Sequence, residues 1–449
     1  MGRITTATTG GGPNRRRQGT TTAVLATLLA AVTVLAACSG ADERAGNPAP
    51  RSPATPSTDG PPGASGSLLS PTGSVPAAPQ GDAFFVPPDP LPAGSPGGVI
   101  WARQLPDPIG GGTAWQVLYR SSAENGDPVA VSGLVVVPPG PPPAAGRRLV
   151  ALAHSTTGLA DACAPSRAMA DPGSAAGQEV AAVASGAMAQ DWVLAATDYR
   201  GLGTPGTHPY LVGQLAGRDV LDLARAARQL PGSGVYPSSP VAVLGHSQGG
   251  GAAVFAAELA PAYAPDLRLV GAVVGAPATE LGRRVTRWPP ARGQDTGFAM
   301  MTVAGFHTAY PGLDLGSVLS ARGRAALPAV ESGCVGEVLA AFGDDDPSQL
   351  FAPDGPDRGW QAALEANVAG RQPTGVPVYI FHGDADTVVP AAWSADYQAR
   401  ACTLGMNVTR VLYPGLDHGS VLLAALPPAF RWLSDRLDGQ PAPPGCPGG

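Results

Sequence analysis

Six short apolar runs, Arg148 to Ala153, Trp192 to Ala196, Val241 to Leu244, Leu269 to Val274, Val376 to Phe381 and Val408 to Leu412, alternate with longer segments of helical pattern. Strands this apolar are buried on both faces, as in a parallel sheet covered by helices. Between two of the runs, Gly217 to Leu230 places Val220, Leu221, Leu223, Ala224 and Ala227 on one helical face and ends at Pro231, which predicts an amphipathic crossover helix. No internal repeat at solenoid spacing is visible. The chain is therefore expected to be an α/β protein with a mostly parallel sheet flanked by helices.

The run Val241 to Leu244 continues as Gly245-His246-Ser247-Gln248-Gly249 and then as a segment rich in Gly and Ala. A G-x-S-x-G pentapeptide alone is weak in so glycine-rich a chain, but here it sits between a strand and a helix. A sharp strand-to-helix turn strains the residue at its tip, and glycines flank it because side chains there would meet neighbouring backbone. Ser247 is the candidate nucleophile, and the Gln248 N–H, at the helix start, is a candidate oxyanion donor.

A serine hydroxyl needs a base to take its proton, and an imidazole in that role needs a carboxylate to hold its tautomer. Of six histidines, His154 and His208 precede the serine, His246 is its neighbour, His307 lies in a long insertion and His382 ends a strand. His418 follows the last expected strand on a loop and is the candidate base. Phe381-His-Gly-Asp384-Ala-Asp386 offers two carboxylates. The pattern H-G-x-x-D-x-x-V-P favours Asp386 as the orienting acid, with Asp384 then fastening the loop through backbone N–H groups; a His/Asp metal site is the weaker alternative, because too few further ligands lie nearby. The second oxyanion donor is expected from the loop after Leu149 to Ala153, where Thr156 is the candidate, through its backbone or its hydroxyl. Asp198-Tyr199-Arg200-Gly201 reads as a brace for the serine turn in preference to a substrate contact.

About 100 residues separate Val274 from Val376, far more than an ordinary connection, so structure is expected there. Thr296 to Tyr310 is apolar nearly all round, and Arg324 to Phe342 also reads as helical. The segment is expected to be either a small buried helical subdomain or a cap over a binding cleft.

Arg15, Arg16 and Arg17 precede an apolar stretch from Thr20 to Ala37, followed by Cys38 in Leu35-Ala36-Ala37-Cys38. That reads as an export signal, and its last four residues resemble the lipobox of bacterial lipoproteins, in which the cysteine is acylated. An uncleaved single-span anchor and ordinary cleavage without lipid are the alternatives. Residues 39 to about 80 are mostly Ser, Ala, Gly, Pro and Thr, a disordered spacer by composition. Cys163, Cys334, Cys402 and Cys446 then remain, an even number in an exported chain. They suit two disulfides better than metal or redox chemistry. Of the three pairings available, Cys402 with Cys446 and Cys163 with Cys334 are favoured, the first stapling the C-terminal tail, since the others cross distant segments. The 28 basic residues are all arginine and are outnumbered by 34 acidic ones, a net charge of −6 that disfavours nucleic-acid binding.

With these motifs in place the chain resembles the α/β-hydrolase superfamily and, more narrowly, the secretory lipase family of extracellular triacylglycerol lipases. The narrower resemblance rests on Asp161-Ala-Cys163-Ala-Pro165-Ser166, Ala196-Thr-Asp198-Tyr-Arg-Gly-Leu-Gly203, His208-Pro209-Tyr210, the Ser247 pentapeptide and the Asp386 and His418 segments. It spans about residues 80 to 437, and it implies a helical cap inserted before the acid-bearing strand, ester hydrolysis through an acyl-enzyme, no cofactor and two disulfides. The expected organisation is a signal at 1–37, a lipidated Cys38 and linker at 38–80, core at 81–276, helical cap at 277–372, core at 373–439 and a tail at 440–449. The expected activity is a serine hydrolase acting on lipid or other carboxylic esters outside the cytoplasm, bound to a membrane through its N-terminal lipid. A short-chain or aromatic esterase, an acyltransferase and a non-catalytic lipid-binding envelope lipoprotein are the alternatives.

Overall fold

The computed structural model describes residues 75–168 and 174–446. The signal segment, Cys38 and nearly all of the spacer fall outside them. Among the described residues no helix is long and apolar enough to cross a membrane.

Among the described residues nine strands form one sheet in the order β1-β2-β3-β5-β4-β6-β7-β8-β9. The first three, β1 (Val99–Gln104), β2 (Thr113–Ser122) and β3 (Pro128–Val137), pair antiparallel, and β3 also runs antiparallel to β5 (Val193–Thr197). From β5 onward the pairing is parallel through β4 (Leu149–Ala153), β6 (Pro240–His246), β7 (Arg268–Gly275), β8 (Val378–Gly383) and β9 (Val408–Tyr413). Every residue of β4, β5 and β8 is buried, as expected of strands with helices on both faces. The antiparallel flank has no counterpart among the six apolar runs, because polar residues such as Gln116, Arg120 and Ser132 interrupt its strands.

Helices α1 (Pro165–Ala168) and α2 (Ala175–Met188) follow β4, and α3 (Gly213–Ala227) follows β5, starting four residues before its expected position. Helix α4 (Gln248–Tyr263) leaves β6 and packs on α3 at very short range. A Cβ at Gly217 would stand 2.8 Å from the Ala256 nitrogen, so this crossing needs glycine. The two faces of the sheet bury separate apolar clusters, one around Val220, Val243 and Phe255, the other around Trp192, Leu244 and Phe381.

Between β7 and β8 the chain forms a helical insertion: α5 (Gln294–Ala309), α6 (Ala321–Glu331), α7 (Val335–Phe342), α8 (Pro347–Leu350) and α9 (Arg358–Ala366). Its own core holds Met300, Met301, Phe306 and Trp360, and it closes on Leu159, Tyr210 and Leu211 of the sheet domain. The segment Arg324 to Phe342, read as continuously helical, is two helices. The break falls at Gly333 and Cys334, where Gly333 O accepts Leu159 N–H, Val335 N–H donates to Thr157 O, and Cys334 is bonded to Cys163. A disulfide and two strand-like contacts to another loop cannot be met from within one helix.

Helices α10 (Ala391–Thr403) and α11 (Ser420–Leu437) complete the core. At the front, Val75 packs on the core and Ala77 bridges Ala102. At the back, Cys446 bonds Cys402, and Gly445 N–H donates to Asn407 Oδ1 at 2.8 Å. Opening the Cys402–Cys446 loop in a Cys402→Ser/Cys446→Ser variant should cost about 4 kcal/mol on chain-entropy grounds, read as a lower urea midpoint with a steeper slope as the denatured chain expands.

Candidate active site

The carboxyl ends of β6, β8 and β9 and the loop after β4 converge at Ser247. The serine sits between β6 and α4 at φ 58°, ψ −119°, a conformation outside the comfortable regions for an L-residue. Backbone holds it there: Ser247 N–H donates to Gly275 O at 2.9 Å, and Gly251 N–H and Ala278 N–H donate to Ser247 O. The flanking glycines are sterically obligatory. A Cβ at Gly245 would stand 2.1 Å from Gly249 O, and one at Gly249 would stand 1.9 Å from Ala153 O.

His418, on the loop between β9 and α11, places Nε2 2.8 Å from Ser247 Oγ and Nδ1 2.7 Å from Asp386 Oδ2. Asp386 lies on the loop after β8, where its Oδ1 accepts the N–H groups of Val388 and Val389, each at 2.9 Å. A second imidazole, His382, approaches Oδ2 at 3.2 Å and is itself held by Ser394 Oγ and Val389 O. Burial opposes ionisation of Asp386, but the bonds from His382 and His418 and the backbone N–H outweigh it and hold the carboxyl well below the usual carboxylate range. An ionised Asp386 fixes the proton of neutral His418 on Nδ1, leaving Nε2 free to accept from Ser247. Asp384 is turned elsewhere: it is exposed and accepts Gly415 N–H at 2.6 Å, tying the two loops together.

Of the expected oxyanion donors, Gln248 is the first residue of α4, so its N–H belongs to the unpaired first turn of that helix. Its side-chain amide donates to His208 Nε2 at 2.8 Å, and His208 Nδ1–H in turn donates to Arg200 O. Burial pushes the His208 imidazole down to about 3, so it stays neutral. Thr156 lies on the loop after β4, with Oγ1 2.9 Å from the Tyr210 hydroxyl. Asp198 accepts from Ser132 and Ser166, Tyr199 OH donates to His154 O, and Arg200 pairs with buried Asp219 at 2.6 Å. All of these contacts are internal. Among the described residues no group of three or more His, Cys, Asp or Glu side chains is arranged to hold a metal ion.

A cavity of ≈ 360 Å³ lies under the insertion, walled by Trp288, Val303, Trp360 and Trp393 and by Thr387 and Val388 of the Asp386 loop. Two features escaped the sequence. The contact of His208 with Gln248 links residues 40 apart, and Glu179, the lone acid of Ala- and Val-rich α2, reaches the Ser155 turn. An isolated charge in an otherwise apolar helix was the available signal for the second.

The family model described as secretory lipase matches residues 170–445. The chain is 30% identical over 388 residues to a probable inactive lipase of Mycobacterium tuberculosis, covering 82% of this chain and 84% of that one. It is 28% identical over 403 residues to lipase A of Arthroderma benhamiae, covering 83% and 82%. Candida antarctica lipase A in its closed state superposes with a TM-score of 0.66 at 22% identity, over 78% of this chain and 84% of that one. The rice cell wall degrading esterase LipA from Xanthomonas oryzae gives 0.64 at 18%, over 78% and 100%. The fold is that of the α/β-hydrolases. The chain belongs to the secretory lipase family of carboxylic ester hydrolases.

Because the Gly249 site has no room for a methyl group, Gly249→Ala should destabilise the fold by about 3 kcal/mol or more in urea denaturation.

Proposed function

We propose that the protein is a triacylglycerol lipase acting through Ser247, His418 and Asp386. The observation that carries the reading is the unbroken hydrogen-bonded line from Asp386 Oδ2 through both nitrogens of His418 to Ser247 Oγ. Ser247 Oγ attacks the ester carbonyl carbon as its proton passes to His418 Nε2, and the negative charge moves to the carbonyl oxygen. Gln248 N–H and the Thr156 loop stabilise that oxyanion. His418 then protonates the departing alcohol, leaving an acyl ester on Ser247. A water molecule, deprotonated by the same nitrogen, attacks this ester and releases the acid. Asp386 stays ionised throughout and steadies the imidazolium.

The cavity under the insertion, mainly apolar with Arg283, Arg287 and Asp295 also on its wall, supports an acyl chain as the part of the substrate that is recognised, since its wall and the acid carboxylate share one loop: Val388 lines the cavity and donates to Asp386. Secreted relatives from Malassezia are named triacylglycerol lipases. The probable inactive relative favours a second reading, a lipid-binding protein that has kept the scaffold without turnover. The intact line of three side chains speaks for catalysis here.

Hydrolysis of p-nitrophenyl esters from acetyl to palmitoyl tests the reading. Activity should rise toward long chains, fall at least about 10⁴-fold in Ser247→Ala, and fall by about 10⁴ in Asp386→Asn, whose amide stabilises the wrong tautomer of His418. A peak at the shortest chains would instead make the protein an esterase, and hydrolysis that survives Ser247→Ala would exclude the serine mechanism. We further propose that Cys38 carries a lipid that tethers the secreted domain to the cell envelope. The full chain should then fractionate with membranes and Cys38→Ala should not; membrane association that survives the substitution would refute the anchor.

A further inference from the structure

Beneath the Thr156 turn runs a polar chain that the hydrolytic reading does not employ. Glu179, on α2, is 8% exposed; its Oε2 accepts Ser155 N–H at 3.0 Å and its Oε1 accepts Ser155 Oγ–H at 3.1 Å. The same Ser155 Oγ lies 3.0 Å from Nδ1 of His246, and the His246 ring packs against His418 with centroids 4.7 Å apart. The chain thus leads from a buried carboxyl, through the residue before Thr156, to an imidazole in contact with the base of the triad.

Two proton arrangements join the three side chains along this line, with His246 Nε2 buried and outside any hydrogen bond in both, and with the Ser155 hydroxyl nearer His246 Nδ1, at 3.0 Å, than His246 O, at 3.3 Å. With Glu179 ionised, Ser155 Oγ–H donates to the carboxylate and accepts from His246 Nδ1–H, leaving His246 Nε2 bare. With Glu179 protonated, its own O–H donates to Ser155 Oγ. The Ser155 proton then turns to a bare His246 Nδ1, and the His246 proton resides on Nε2. One proton is taken up by Glu179, and the His246 proton exchanges between its nitrogens. We propose that Glu179 is a positioning residue that clamps the Ser155–Thr156 turn against the serine elbow and sets the tautomer of His246 beside His418.

Burial raises the Glu179 carboxyl to about 7 against the hydrogen bonds from Ser155, so the change between the two arrangements falls near neutrality. Burial pulls His246 down to about 3, so it responds by changing tautomer, not by charging. The other titratable groups around this chain are His154, which burial lowers to about 4, Tyr199, whose phenol burial and the Glu179 charge both hold protonated, and, facing His246, the imidazoles of His418 and His382, which disfavour a charged His246, and the Asp386 carboxylate, which favours one. Among the described residues no arginine forms an ion pair with Glu179.

The proposal depends on the ester-hydrolase reading for its kinetic consequence alone. The tautomer of His246 is read without turnover, from nitrogen NMR of histidine-labelled protein, with the signal assigned by its loss in His246→Asn. Wild type should carry Nδ1–H about two pH units above the Glu179 value and Nε2–H about two units below it. Glu179→Gln, whose amide donates to Ser155 Oγ as the neutral acid does, should carry Nε2–H at both. In ester hydrolysis the same variant should lose about tenfold in kcat with KM within about twofold, and the acid limb of its kcat/KM profile should follow one proton where wild type follows two. A His246 tautomer that is the same in wild type at both pH values, or a two-proton limb in Glu179→Gln, would overturn the proposal. A switching tautomer in a protein that hydrolyses no ester would uphold the positioning chain and reject the hydrolase reading.

Discussion

The structure turns on the strained backbone of Ser247. An L-residue at φ 58° with ψ −119° costs of order 1–3 kcal/mol and persists where its surroundings over-determine it. Here β7 supplies Gly275 O to the Ser247 N–H, and Gly245 and Gly249 let three backbone segments meet where any side chain would collide. Parallel pairing of β4 and β6 brings Ala153 level with Gly245, which sets the loop carrying Thr156 beside the elbow. Removing strain at this one residue would move the Ser247 hydroxyl out of line with His418 and spread misfit through β4, β6 and α4 together.

A second constraint couples the insertion to that loop. The Cys163–Cys334 bond, the Gly158–Cys334 bridge and the Val335 N–H to Thr157 O bond fasten the residues following Thr156 to the junction of α6 and α7. From the opposite side, Glu179 fastens the residue before it. Thr156 is thereby suspended between a covalent tie to the cap and a buried carboxyl in the core. The position of Thr156, the proposed oxyanion donor, and the attachment of the insertion are set by the same short stretch of chain.

Much of this was legible in the sequence because it is encoded locally. The all-buried strands read as continuous apolar runs, Gly245 has a steric cause within five residues in Gly249 O, and the order of Ser247, Asp386 and His418 follows their strands. The antiparallel flank was not legible, since half-polar strands such as β2 and β3 lack the runs that identify buried parallel ones. The break between α6 and α7 was hidden because helical periodicity continues across it, while the interruption is imposed by Leu159 and Cys163 from about 170 residues away. The Glu179 chain escaped for the same reason: no local pattern ties an acid on α2 to a serine after β4 and an imidazole at the end of β6.

Whether Ser247 is an activated nucleophile is read by mass spectrometry of the protein after reaction with an organophosphonate ester. The phosphorus is attacked by Ser247 Oγ and its leaving group departs, so one adduct should form, map to the peptide containing Ser247 and disappear in His418→Ala. An unmodified protein, or an adduct on another residue, would contradict the account.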